Sequence, residues 1–143
     1  MSYATVGLSE HDLIRDGTPF AARVEIVGAC GASYKDFENA LATASFCVIT
    51  SKWFCAPGII FPGLLDMYDL SNTMSDVYFA SPFLWDSLER STIVDGITIA
   101  WLLAIPVSKA ETSHANEYGP NALEAIFERE QIDIFDLNRA SVV

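Results

Sequence analysis

From Ser33 onward, apolar residues recur at three- and four-residue steps: Tyr34, Phe37, Leu41, Ala44, Val48 and Ile49. That spacing lines one face of a helix and predicts an α-helix from Ser33 that reaches Trp53. Upstream, FAARVEIVGA alternates in part and is rich in β-formers, which predicts a strand at Ala22–Val27 followed by a GACGA turn. Nearer the start, Ser9 has the side chain of a helix N-cap. It predicts a short helix running towards Arg15, ended by Asp16-Gly17 and Pro19.

Beyond the long helix, Pro57-Gly58 and Pro62-Gly63 frame a loop or short strand. DVYFASPF predicts a strand stopped by Pro82, and SLERSTIVDG a loop or turn ahead of the next strand. ITIAWLLAI is nearly all apolar, the pattern of a central strand buried on both faces, and Pro106 is expected to close it. Ser108 precedes Glu111 by three residues, the spacing of a capping box. Gly119 suits the end of that helix and Pro120 the first turn of another. In the second helix Leu123, Ile126 and Phe127 are expected inward, with Glu124, Glu128 and Arg129 towards water. Helices mixed with strands give an α/β or α+β class.

The length of 143 residues suits a single domain, 1–143, with no internal boundary. With 51% apolar and 19% charged residues the composition is globular. Eight basic residues face nineteen acidic ones, a formal charge of −11. Such a surface repels nucleic-acid phosphates and anionic membranes, and favours a basic protein partner or simple solubility. The opening MSYATVGLSEHDLIRDG lacks the apolar core of a secretion signal. The apolar window Thr43–Leu65 is broken by Lys52, Pro57 and Pro62, and Ile97–Ile105 is too short to span a bilayer. Three cysteines, Cys30, Cys47 and Cys55, form no C-x-x-C pair, so the expected compartment is a reducing cytoplasm.

Four groups invite a chemical reading. Glu111, His114 and Glu117 stand three residues apart, and Glu-x-x-His occurs in carboxylate metal sites. Further ligands are needed, the only other histidine is His11, and Glu111 already has a capping role, so no metal is expected. Cys47 and Cys55 lie in apolar surroundings, where cysteine commonly acts as a small hydrophobe rather than a nucleophile. GACGAS lacks the lysine of a phosphate-binding loop and reads as a turn. The acidic groups are Asp66, Asp69 and Asp76, then Asp86 and Glu89, then Glu124, Glu128 and Glu130. They match no calcium loop and form either a solvated face or a docking surface. No catalytic residue and no cofactor are expected.

The stretches WLLAIPVSKAETSHANEYG and NALEAIFEREQIDIFDLNRASVV, with FPGLLDMY, VYFASPFLW and the early RVEIVGA strand, resemble the bacterial suppressor-of-fused-like domain family. The resemblance spans roughly 23–143 and implies a mixed sheet flanked by helices. It also implies binding rather than catalysis: bacterial members are associated with toxin systems as immunity proteins, and many such toxins are nucleases. The animal relative clasps an extended peptide by strand addition. Pro106, Glu111, Gly119 and Arg139 match the family pattern and are expected to be structural, with Ser108 as the capping partner of Glu111 and Asp136 as a candidate partner of Arg139. Pro106 stops a strand, Gly119 ends a helix, and Asp136 pairs with a partly buried Arg139. The leading expectation is an immunity protein that blocks a basic toxin by surface occlusion. Asp66, Asp69, Asp76, Asp86 and Glu89 would steer it, and Tyr68, Phe83 and Trp85 would anchor it. The alternatives are a peptide-binding module with an exposed sheet edge and, behind it, a metal- or cysteine-dependent hydrolase.

Overall fold

A computed structural model describes residues 1–143 as a mixed sheet with helices on both faces. The strands are β1 (Ser2–Ala4), β2 (Ile14–Arg15), β3 (Thr18–Pro19), β4 (Ala22–Ala29), β5 (Ile60–Phe61), β6 (Asp76–Ala80), β7 (Ser91–Val94) and β8 (Ile97–Val107). The helices are α1 (Phe37–Thr50), α2 (Lys109–Tyr118) and α3 (Pro120–Glu130). The main sheet runs β1-β4-β8-β6-β5, and β2 and β3 form a separate hairpin.

β8 is the axis of the sheet. β4 runs parallel to it along one edge, pairing Ala22–Gly28 with Thr98–Ala104. The opposite edge is shared: β7 takes Ile97–Ala100 and β6 takes Leu103–Val107, both antiparallel. This explains a split in burial. Leu102 to Val107 are buried, whereas Ile97 to Trp101 are only half-buried, so the strand expected to be covered on both faces is covered only in its second half. There, alternate residues enter two cores. Leu102 and Ala104 join Val24, Ile26, Val77 and Phe79 beneath α1. Leu103, Ile105 and Val107 join Tyr78 and Ala80 beneath Leu123 and Phe127 of α3. Gly28 lets α1 approach closely, because a Cβ there would lie 2.9 Å from the Phe37 ring.

Four local expectations are corrected. Ser9 does not cap a helix to Arg15; a single 3-10 turn, Leu8–Glu10, gives way to β2. The Ser9 N–H and hydroxyl instead donate to the buried Glu25 carboxylate, which Thr5 and the Gly7 N–H also reach. The long helix starts at Phe37, not Ser33, and stops at Thr50, short of Trp53. Its first residue follows Asp36, whose φ of 68° breaks the helical path. SLERSTIVDG is not only a loop: β7 and β8 form a hairpin closed by Asp95-Gly96, both with positive φ. Two such residues suit the turn twist that strand pairs prefer. Pro106 lies inside β8 rather than closing it. The Val107 carbonyl accepts from Ser75 on the β6 side, so Pro106 faces the other way, where β4 has already ended. Its missing N–H therefore costs the sheet no ladder bond. No helix is long and apolar enough to cross a membrane.

Candidate partner-binding surface

α3 carries its apolar stripe into the core and leaves its next face beside two irregular segments. These are 81–84, which follows β6, and 131–135, which follows α3. Together they enclose a groove of roughly 660 Å³. Apolar rings and carboxylates share its lining: Phe83, Phe127 and Phe135 with Glu124, Glu128 and Asp133, and one cation, Arg90. Phe83 is 61% exposed and Phe135 45%, so two apolar rings border the groove in contact with solvent. Glu124 was expected to face water but is half-buried, because the Tyr78 hydroxyl beneath donates to its Oε1 at 2.6 Å. Burial, then the neighbouring carboxylate, pushes the Tyr78 phenol far above its ordinary value, so it stays a donor.

The 131–143 wall of this groove is fastened from behind. Gln131 takes a left-handed conformation, φ 48°, and ends α3. Ile134 and Leu137 then enter opposite cores. Tyr34 donates to Asp136 at 2.5 Å and Ser71 to the Leu137 carbonyl. Arg139 was expected to pair with Asp136; its partner is Glu111, reached at 2.7 Å (Nη1–Oε1) and 2.8 Å (Nη2–Oε2). Asp136 is occupied by Tyr34 and the Asn138 N–H, which hold its carboxyl below the ordinary range. Arg139 Nη2 also donates to the Pro106 carbonyl at 3.0 Å, filling the place that β4 vacates.

The Glu111/His114/Glu117 row is divided by the fold. Glu111 is fully buried: Oε2 accepts from the Ser108 N–H, Oε1 from the Val142 N–H, and Ser108 Oγ accepts from the Glu111 N–H. His114 stacks near Tyr118, with ring centroids 4.7 Å apart, and Glu117 is exposed. Gly119 separates α2 from α3 with φ 92°. Cys55 is buried among apolar groups and its thiol is pushed strongly up by that burial. Cys30 is buried and raised by desolvation, whereas Cys47 is partly exposed on α1.

The residues expected to contact a partner do not form one cluster. Asp76 is excluded from any surface: it is 3% exposed and accepts from the Gly63 N–H and the Ser75 and Thr112 hydroxyls, tying β6 to α2. Asp66 is exposed and lies 3.6 Å from Lys109; Asp69 is exposed beside it, and Tyr68 bonds Thr43 of α1. Phe83 lines the groove. Trp85 lies elsewhere, in a shallow hollow with Tyr3, Leu88 and Trp101. Asp86 and Glu89 are exposed on the same loop. Sequence reasoning missed the 131–135 wall. Its signal was present in the Ile132/Ile134 alternation just after a helix end, the mark of an extended segment laid against the core.

With this geometry established, likeness to known proteins is informative. The sequence pattern of Suppressor of fused protein (SUFU) matches residues 1–140. The Immunity protein YqcF of Bacillus subtilis (strain 168) is 39% identical over 144 residues, covering 99% of this chain and 74% of that protein. The crystal structure of a SUFU homolog from Neisseria gonorrhoeae FA 1090 superposes with a TM-score of 0.72 at 16% identity, covering 99% of this chain and 70% of that one. The Sufu–Fu complex gives 0.67 at 14% identity, covering 99% and 69%. Drosophila Suppressor of Fused gives 0.65 at 14%, covering 99% of this chain and 38% of the other. The structural likenesses speak for the fold, and the sequence match for the family: this chain belongs to the Suppressor of fused protein (SUFU) family.

Proposed function

We propose that the chain is a non-enzymatic immunity protein that binds a toxin protein and blocks it by covering its working surface. The observation that carries this reading is the 39% identity, across 99% of the chain, to a protein named for immunity. The charge of −11 supports a basic partner, including a nuclease whose phosphate-binding surface acidic side chains would occupy. Three free thiols suit a reducing cytoplasm. The exposed carboxylates Asp66, Asp69, Asp86 and Glu89 supply steering. Phe83 in the groove supplies apolar area for anchoring, and Tyr68 and Trp85, on separate patches, supply further apolar contact.

Co-expression with the product of the adjacent gene tests this. The chain should co-purify with that product and protect growth. Association should quicken as salt is lowered, since exposed charges are screened beyond about 8 Å at physiological ionic strength. Neutralising Asp66/Asp69 or Asp86/Glu89 should reduce that salt dependence. Absence of both capture and protection overturns the proposal.

A second reading, peptide capture by strand addition, is favoured by one feature. The outer edge of β7 is unpaired and all four residues are exposed, with Ile93 at 72%. A peptide bound there by the isolated chain, with no toxin captured, would favour it.

A further inference from the structure

We infer that the groove between α3, 81–84 and 131–135 receives a cationic and partly apolar segment of the partner. An arginine or lysine would lay its stem along the Phe83 and Phe135 rings and carry its charge to Glu124 and Glu128. The inference rests on the immunity reading for who the partner is, and adds the chemistry of the segment that enters.

Three observations converge on it. The lining sets three carboxylates, Glu124, Glu128 and Asp133, against the single guanidinium of Arg90. A concave site with one dominant sign focuses its field on what enters. Glu124 is also held in place in advance. Tyr78, wholly buried, fixes Oε1, while Oε2 receives no donor from the chain and is left for one from outside. A carboxylate already immobilised loses little freedom on binding. Finally, the rings are exposed where a cation would pass, and a cation over a ring face is attracted by it. Arg139, the internal cation that already sits 5.5 Å from the Phe127 ring, is neutralised by Glu111 and does not cancel the field. A nucleic acid or acidic peptide would meet the same carboxylates as repulsion.

The test uses the whole chain and a capped peptide, acetyl-Leu-Arg-Phe-Arg-Leu-amide, with acetyl-Leu-Glu-Phe-Glu-Leu-amide as its counterpart. Amide chemical shifts are followed by NMR at fixed salt. The cationic peptide should move the resonances of 81–84 and 131–135, and the acidic one should not. Glu124→Gln with Glu128→Gln should weaken binding tenfold or more and leave the circular dichroism spectrum unchanged, because glutamine still accepts from Tyr78. Asp16→Asn with Glu38→Gln, exposed carboxylates outside the groove, should leave binding unchanged. No shift at millimolar peptide, shifts spread over the whole acidic surface, or equal weakening by both pairs overturns the inference. Growth protection in the co-expression experiment separates the two claims. A seated peptide with no protection by wild type removes the immunity reading and leaves the groove. Full protection by the Glu124/Glu128 variant removes the groove and leaves the immunity reading.

Discussion

Arg139 grips Glu111 with two parallel hydrogen bonds, 2.7 and 2.8 Å long, and the two side chains are 7% and 0% exposed. The pair joins the C-terminal segment to the start of α2, and through Pro106 to the end of β8. The Glu111 carboxylate serves a helix cap and a buried ion pair together.

Removing either partner should therefore cost more than a cap. Loss of a cap alone costs about 0.5–2 kcal/mol. Stranding a buried charge costs about 3–5 kcal/mol. Glu111→Ala and Arg139→Ala should each fall in the larger range by urea denaturation. Glu111→Leu combined with Arg139→Met should recover part of the loss, since neither charge is then left alone. A Glu111→Ala loss confined to the cap range would show that the ion pair contributes nothing.

Acid should weaken the fold through Glu25 and Asp136. Burial alone would raise the Glu25 carboxyl, but the hydrogen bonds from Thr5, Ser9 and Gly7 outweigh it and hold it below the ordinary value. Asp136 is lowered by Tyr34 first and then by the Asn138 N–H. A depressed folded-state value means that the unfolded chain takes up protons at higher pH than the native one. The stabilisation is present above the unfolded value, roughly 4.3 for glutamate, and is lost as pH falls through the folded value. Urea midpoints should hold near neutrality and drop below about pH 5. Glu25→Gln should be less stable at pH 7 and show a shallower acid decline. An identical decline in wild type and variant would exclude Glu25 as a source.

The three thiols should differ in access. Cys47 is partly exposed, whereas Cys30 and Cys55 are buried and raised by desolvation. Ellman titration should find one reactive thiol in the native protein and three in denaturant. Early reaction of Cys55 would show that the α1 core opens.

Ile93→Pro should discriminate between the two modes of binding. The Arg90 carbonyl accepts from the Trp101 N–H, so alternate residues of β7 face β8, and the Ile93 N–H points outward. Proline there removes a donor that the fold does not use. Thermal stability should change little. Strand addition at β7 should be abolished, whereas toxin capture through the α3 groove should persist.

Much of this protein was legible in the chain because the signals are local. The three- and four-residue spacing of Phe37, Leu41, Ala44 and Val48 is the buried stripe of α1. The Ser108/Glu111 spacing is a closed capping box, with both hydrogen bonds present. The α/β class follows from such periodicities, since helix and strand each bury a face at a fixed repeat. Partnerships between distant residues carry no such repeat. Nothing in the order of residues says that Arg139 passes over nearby Asp136 to reach Glu111, or that Tyr34 takes Asp136 across 102 positions. Pro106 could sit within β8 only because β4 ends at that level, a fact of strand register. Asp76 could be buried only because Gly63, Ser75 and Thr112 converge on its carboxylate. The groove is the same kind of object. Phe83 is far in the chain from Glu124 and Phe135, and only packing α3 against the end of β6 gives them one cavity to share. Periodicity fixes which face of each element is buried, while the tertiary arrangement decides which charges meet and which rings stay in water.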